Sequence, residues 1–419
     1  MKKMIKKVMT GLLVLCLILS AIPTTAFAQS NSKETYDLVI RTEKEFISFL
    51  NSMSKGTTYQ GKTVKLAKDI EITANSVNDI ELVYASKGFF GVFDGGCHTV
   101  SGIHSWRINP ALRGGAALFG YIGNSGVVKN LYIDDFSFDN SHGGAFVIAV
   151  ENKGLIENCR ITNCNISGSD VSAGIVKKND GKIINCSLEG IVASKGFYCN
   201  GIAYWNRGTI SNSSFVGEVS TSTTKAIGCS AGISYHNQNG TIQNCYTVVS
   251  SDRDNDKVKV HGLCTVNAGI LLNCHASDEG VDYLYDEDSR TVQNVNTYSK
   301  EDMKSDSFVN TMNSKLSGGF LKWTLNDKSE YPSLVDMYEV TFKGIDSKKG
   351  YVKSSKSYVS EGEKVTLTPV MNKKYKVSSI TVKTTTGKNV SAKRNSKGAY
   401  TFTMPDDEVV VTAKIVKKK

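Results

Sequence analysis

Asp134, Asp135, Asp139 and His142 bring carboxylates and an imidazole together in one short stretch. Such a set can bind a divalent cation or supply the acid and base that cleave an acidic polysaccharide, since one group must give a proton and another take it. Their spacing matches no catalytic signature, however, and aspartates in turns are ordinarily solvated. Asp252, Asp254 and Asp256 imitate the start of a calcium loop, yet Lys257 stands where its turn glycine belongs and Leu263 where its bidentate glutamate belongs. The histidines form no His-Glu-x-x-His pair, and neither a Gly-x-Ser-x-Gly elbow nor a phosphate loop occurs. Without a Cys-x-x-Cys there is no basis for structural zinc. These residues point to no catalytic assignment, no metal and no cofactor.

Binding chemistry has a better candidate. Lys177 and Lys178, Tyr204 and Trp205, Tyr235 and His236, then Thr265 and Val266 occupy the two positions before a recurring asparagine. If these pairs lie on strands, alternation turns one member of each outward and builds a short stripe of lysine and aromatic side chains. Sugars stack on exposed aromatic rings and bond to adjacent polar groups, so the stripe is a glycan-binding candidate. The competing reading is that the rings fill a widened interior.

The element that positions the stripe is a repeat. Asn124, Asn152, Asn179, Asn206, Asn237 and Asn267 open the copies NSGVVKNL, NKGLIENC, NDGKIINC, NRGTISNS, NQNGTIQNC and NAGILLNC, in each of which an Asn follows the Gly by four residues. Successive glycines are 28, 27, 27, 32 and 29 residues apart. A period in this range marks a solenoid whose repeats bury their apolar faces against one another. Alternation over Lys182 to Leu188 and the lack of long helical spacing make the repeat one of strands, with Gly, Asn and Ser at the turns. Coils of roughly 27 residues with two or three short strands each, rising by about 4.8 Å, describe a right-handed parallel β-helix.

The repeated asparagines read as structure. Side chains stacked coil on coil can bond to one another and avoid the roughly 1 to 3 kcal/mol cost of a buried unpaired group. Cys159, Cys186, Cys245 and Cys274 each follow a repeat Asn, with Ser213 and Leu131 in the equivalent places, a column of small inward-facing side chains. Lys2, Lys3, Lys6 and Lys7, the apolar run from Val8 to Ile22 and Ala26-Phe27-Ala28 have the form of a signal peptide over residues 1–28, with Cys16 inside it. The protein is therefore expected to be secreted, where disulfides are permitted although nothing in the spacing demands them, and Cys199 with Cys229, near the same register in adjacent copies, is the pair to check.

Caps and a second domain flank the repeats. Thr42-Glu43-Lys44-Glu45 is a capping box, and Phe46, Phe49, Leu50 and Met53 predict an amphipathic helix over 43–54 that covers the first coil. Met303, Phe308, Val309, Met312 and Leu316 predict a second helix after Ser299 that seals the other end. Thr63 to Ile72 and Phe89 to Ile103 read as less regular coils. The solenoid thus spans residues 29–337, with repeats over about 117–280. Residues 338–419 hold 18 Lys or Arg against 7 Asp or Glu, a net of +11, and their alternating stretches predict a small β-sandwich or β-grasp-like module. Residues 29–337 carry 28 basic and 33 acidic residues, so the charge is asymmetric. A basic module outside a cell attracts anionic wall polymers or host glycans sooner than nucleic acid.

Gly174 to Cys186, and nearly Gly201 to Ser213, resemble the GLUG-motif repeat of secreted and surface proteins of Gram-positive bacteria. Phe93 to Ile103 is similar to the segment that precedes those repeats, with Cys97 at a position usually small or polar, and Phe119 to Gly123 continues the likeness. Tyr400 to Pro405 followed by Val409 to Ala413 resembles the InlB B-repeat and bacterial-repeat β modules. The resemblance is specific for architecture rather than activity, since such proteins include adhesins, non-catalytic parts of surface proteases and chains of unassigned role. A Leu-Pro-x-Thr-Gly signal is missing, and no apolar segment before Lys417, Lys418 and Lys419 is long enough to span a bilayer, so release or electrostatic retention on an anionic wall is expected. The reading is a secreted, non-enzymatic protein that binds glycan or wall polymer at Lys177, Lys178, Tyr204, Trp205, Tyr235 and His236. The alternatives are a β-helix polysaccharide lyase or glycoside hydrolase, and a structural spacer.

Overall fold

The computed structural model describes residues 36–73, 82–84, 86–105, 115–222, 228–251, 258–287, 291–316, 318–327 and 329–418. The signal-peptide stretch with Cys16, and Asp252, Asp254 and Asp256, lie outside the described residues. The described chain forms two compact units, one of residues 36–315 and 322–334 and the other of 316–321 and 335 onward.

The first unit is a parallel β-solenoid of about seven turns. A regular coil has four short strands rather than two or three, for example Leu155–Glu157, Arg160–Gly168, Val171–Ala173 and Val176–Asn179. Each pairs in parallel with its equivalent in the next coil: Ile156 with Ile183, Ile161 with Leu188, Ser172 with Cys199 and Val176 with Ala203. Four columns of strands result, numbered here in that order. Thr63–Leu66 and Val92–Asp94 join the first column in full register, so the early coils are regular there. Their irregularity lies in the third column, where Val83–Tyr84 pairs antiparallel with Ala116–Ala117.

Two asparagine ladders run inside the turns. Asn152, Asn179, Asn206 and Asn237 each donate from Nδ2 to the Oδ1 of the next coil's asparagine at 2.8 Å, ending on Asn267. The second ladder runs the other way. Asn244, Asn212, Asn185 and Asn158 donate backward at 2.7–3.0 Å to Asn130, which donates to the Asp94 carboxylate at 3.0 Å. Members of this second ladder hold φ near +50°, a corner that asparagine tolerates. Burial pushes the Asp94 carboxyl upward, but the Lys129 and Lys65 ammoniums and the donors Asn130 and Gly96 outweigh it and hold the group below its ordinary value. The ladder therefore terminates on a negative charge that accepts its last proton donor.

Cys159, Cys186, Cys245 and Cys274 are fully buried beside this ladder and donate weakly to backbone carbonyls such as those of Ile184 and Leu272, each at 3.3 Å. The described cysteines are all free thiols. Cys199 and Cys229, the pair to check, are not in register: Cys199 lies opposite Ser230 and faces the core, whereas Cys229 lies opposite Tyr198 on the other strand face. Burial pushes the Cys199 thiol up to about 12.

The N-terminal helix, Glu43–Ser54, has the full capping box of Thr42 and Glu45 and buries Phe46, Phe49, Leu50 and Met53. Phe49 meets Phe93 and Phe119 at ring-centroid distances of 5.3 and 6.2 Å, which plugs the first coils with aromatic rings. The second helix, Asp306–Asn313, begins at the cap Ser305, after a separate turn of 3-10 helix at Asp302–Lys304. It does not seal the far end. Phe308 packs on Tyr246, His275 and Tyr298, and the hairpin Trp323–Asn326 with Ser329–Leu334 continues back along the flank. Trp323 Nε1 donates to Asn212 Oδ1 at 2.8 Å, Tyr246 donates to the Pro332 carbonyl, and Arg160 donates to the Leu334 carbonyl at 2.7 Å. The segment is a strap over the first and second columns, with Phe308, Met312 and Trp323 almost fully buried and the Phe308 and Trp323 rings set edge-on to Tyr246.

The second unit contains a five-stranded and a four-stranded sheet. Val340, Val352, Val365, Val382, Phe402 and Val411 from both sheets share one core. The first and last strands of the five-stranded sheet, Met337–Phe342 and Val409–Lys417, pair in parallel. Among the described residues no helix is long and apolar enough to cross a membrane.

Candidate functional site

The stripe residues sit on the fourth column. Ala149, Val176 and Ala203 face the main core, and Lys178, Trp205 and His236 share one cross-coil row. Simple alternation does not hold at this edge. Both members of Lys177–Lys178, Tyr204–Trp205 and Tyr235–His236 are half-buried, because the chain turns so that the next residue can enter the asparagine ladder. The interior at this level is filled by Ile175, Val176, Ile202, Ala203 and Ile233, so the aromatic rings are not its filling.

The rings collect outside the wall. Tyr204 is stacked between Trp205, at 5.2 Å and 21°, and Tyr235, at 5.1 Å and 13°. Tyr198 from the third column closes on Tyr235 at 4.4 Å and on Tyr204 at 5.5 Å. His236 adds an edge to Tyr235 at 6.5 Å. Outward side chains of successive strands meet only where the wall turns back on itself, so the third and fourth columns enclose a re-entrant corner. Phe146, Val150, Val171 and Ala173 form a separate apolar cluster at its lower end, against which Tyr198 and Tyr204 pack.

Glycine makes this corner. A Cβ on Gly201 would lie 2.1 Å from the Gly232 carbonyl oxygen, and one on Gly174 2.1 Å from that of Gly201. The backbones approach so closely that no side chain fits between coils. That requirement explains the Gly-Ile step in three successive coils, where Ile175, Ile202 and Ile233 turn straight into the core.

Burial pushes the Tyr235 phenol up to about 12, with the Tyr198 hydroxyl adding to the effect, and pushes Tyr204 further in the same direction. The phenols stay protonated and act as neutral donors at ordinary pH. Lys178 pairs with Asp180 at 3.2 Å, and the Arg207 guanidinium lies 5.7 Å from the Trp205 ring centre while its Nε donates to Gln238 at 2.8 Å. An aromatic shelf flanked by polar groups suits the apolar face of a pyranose ring.

Asp134, Asp135, Asp139 and His142 are not brought to a common point. Asp134 accepts from Thr162 and Asn163 at 2.7 and 2.8 Å, Asp135 pairs with His104 at 3.0 Å, and Asp139 is held by Lys195 at 2.9 Å. His142 Nδ1 bonds to its neighbour Ser141 at 2.8 Å. Among the described residues no three His, Cys, Asp or Glu side chains converge as a metal site.

Sequence reasoning missed Tyr198 and Asn200. Both flank the core-facing Cys199, and that alternation was the available signal.

Residues 338–419 match the family model of the divergent InlB B-repeat domain. No curated protein and no solved structure matches the chain. The B-repeat-like module carries Lys376, Lys383 and Lys414 exposed on its five-stranded sheet, while Val377, Val382 and Val411 turn into the core.

Proposed function

We propose that this is a secreted, non-enzymatic surface-binding or adhesion protein that recognises glycan or wall polymer through the re-entrant corner. The observation that carries the reading is the continuous contact of Tyr198, Tyr204, Trp205 and Tyr235 outside the core, with Lys177, Lys178 and His236 beside them. A chain gains little from gathering rings on an outer wall unless something covers them. The GLUG-like stretch Gly174 to Cys186 and the B-repeat-like module agree with a surface role, and the leader-like residues 1–28 with export. The module's net charge adds retention on anionic polymers at low salt.

The test is a tryptophan-fluorescence titration of the purified protein with neutral and anionic glycans and with wall polymers. Binding should shift the emission and should weaken in Trp205→Ala and Tyr235→Ala. No shift with any ligand would remove the proposal, and new reducing ends or unsaturated products would replace it with an enzyme.

A further inference from the structure

The corner has a floor as well as a shelf. Phe146, Ala173, Asn200, Ala231 and His261 stand one above another on the outward face of the third column. Asn200 is the polar member of the central part of this row, and it has no exposed surface. Neither its Oδ1 nor its Nδ2 has a hydrogen-bond partner. The contrast with the ladders is direct, because Asn179, Asn206 and Asn237 are equally buried and bond to one another. A buried amide with both ends unpaired is among the costlier features a fold can keep. Two further groups at the upper end share the condition. Thr265 Oγ1, following the Lys177, Tyr204 and Tyr235 positions in the fourth column, is buried and unpaired. The His261 ring, 2 % exposed, makes no hydrogen bond, although its Nε2 lies 3.3 Å from an Asp286 oxygen.

We propose, building on the glycan-binding reading above, that the corner is a subsite for a neutral pyranose and that Asn200 is its specificity residue. One amide carries an acceptor and a donor side by side, which matches two vicinal hydroxyls of a sugar: one hydroxyl donates to Oδ1 while the other accepts from Nδ2. The stack of Trp205, Tyr204 and Tyr235, its successive ring planes within 21° of parallel, supplies the apolar wall of the subsite. Neutrality follows from the floor around the amide, where Val171, Ala173, Tyr198, Asn200, Cys229 and Ala231 are uncharged; Lys177, Lys178 and the exposed Lys259, opposite Cys229, stand at the rim, and the Asp170 carboxylate lies close enough to raise the Tyr204 phenol further. An anionic sugar seated at Asn200 would meet uncharged neighbours, with the lysines held at the rim. Tyr198 and Tyr204 pack against the apolar cluster that contains Ala173, the cross-coil neighbour of Asn200, so the sugar reaches Asn200 by parting these two rings.

The experiment titrates full-length protein, and its Asn200→Leu and Asn200→Ala variants, calorimetrically with neutral hexose and N-acetylhexosamine oligosaccharides and with uronate polymers, at low and high salt. The proposal expects neutral oligosaccharides to bind with little salt dependence and both variants to bind them at least tenfold more weakly, from the loss of two hydrogen bonds. Asn200→Leu should melt no lower than the parent, since it removes an unpaired amide. Binding confined to anionic polymers, steep in salt and indifferent to Asn200, would overturn this inference while leaving glycan recognition standing. Binding to neither class would remove both. A clear fall in melting temperature for Asn200→Leu, with unchanged sugar affinity in Asn200→Ala, would make the amide structural and overturn the subsite.

Discussion

Two outer regions of the solenoid carry polar side chains, and they treat them in opposite ways. Around Asp134 to His142 every candidate acid or base already has a partner: a threonine and an asparagine for Asp134, His104 for Asp135, Lys195 for Asp139 and Ser141 for His142. At the re-entrant corner the Asn200 amide and the Thr265 hydroxyl are buried with no partner, next to aromatic rings that contribute nothing to the main core. The first region has satisfied its own chemistry, whereas the second retains buried hydrogen-bonding groups without a partner in the fold. In a solenoid built of nearly identical coils, the place where the coil's own bonding is incomplete is the informative one.

The comparison breaks most completely if the corner loses its backbone geometry. Gly201→Val would drive a branched side chain into the Gly232 carbonyl, and we expect a loss of more than about 4 kcal/mol in denaturant unfolding, enough to abolish a soluble fold. Next in size is the ladder. Asn206→Ala strips Asn179 of its acceptor and Asn237 of its donor, and chemical unfolding should show a loss of about 2 to 4 kcal/mol. Asn200→Leu, chemically the harsher change, should cost nothing, and that difference between two buried asparagines sharpens the comparison.

A smaller effect comes from the strap. His275 is buried between Tyr298 and Phe308, and burial lowers its imidazole to about 4. In the unfolded chain it takes a proton near pH 6.5, so the unfolded state binds more protons between those values and stability falls as pH drops through that window. Melting temperature measured from pH 7 to 4 should decline, and the decline should lessen in His275→Gln. Smallest of all, Asp139→Asn should change stability by less than about 1 kcal/mol because its lysine pair is exposed, and should leave glycan affinity untouched.

The solenoid was legible in the sequence because its requirements recur: Gly181 and Gly208 exclude a Cβ between coils, and Asn185 and Asn212 combine φ near +50° with a ladder bond. The N-terminal cap was legible because Thr42 and Glu45 and the spacing of Phe46, Phe49, Leu50 and Met53 are local signals. Its C-terminal counterpart was misread. Helical spacing at Phe308 and Met312 shows that a face will be buried, but its seat on Tyr246 depends on contacts more than 60 residues away in sequence. The aromatic pairs were visible at Tyr204, Trp205, Tyr235 and His236, yet strict alternation failed where the strand bends toward Asn206 and Asn237. Asn200 escaped notice because one asparagine among many looks like another; only its burial without partners separates it from the ladders.

Hydrogen–deuterium exchange with and without a saturating neutral oligosaccharide tests the central claim most directly, since it reports both regions in one measurement. Protection confined to residues 198–206 and 234–237, with 134–142 unchanged, is the result expected if the unpaired corner is the binding surface. Protection centred on 134–142 with no change at the corner would contradict it.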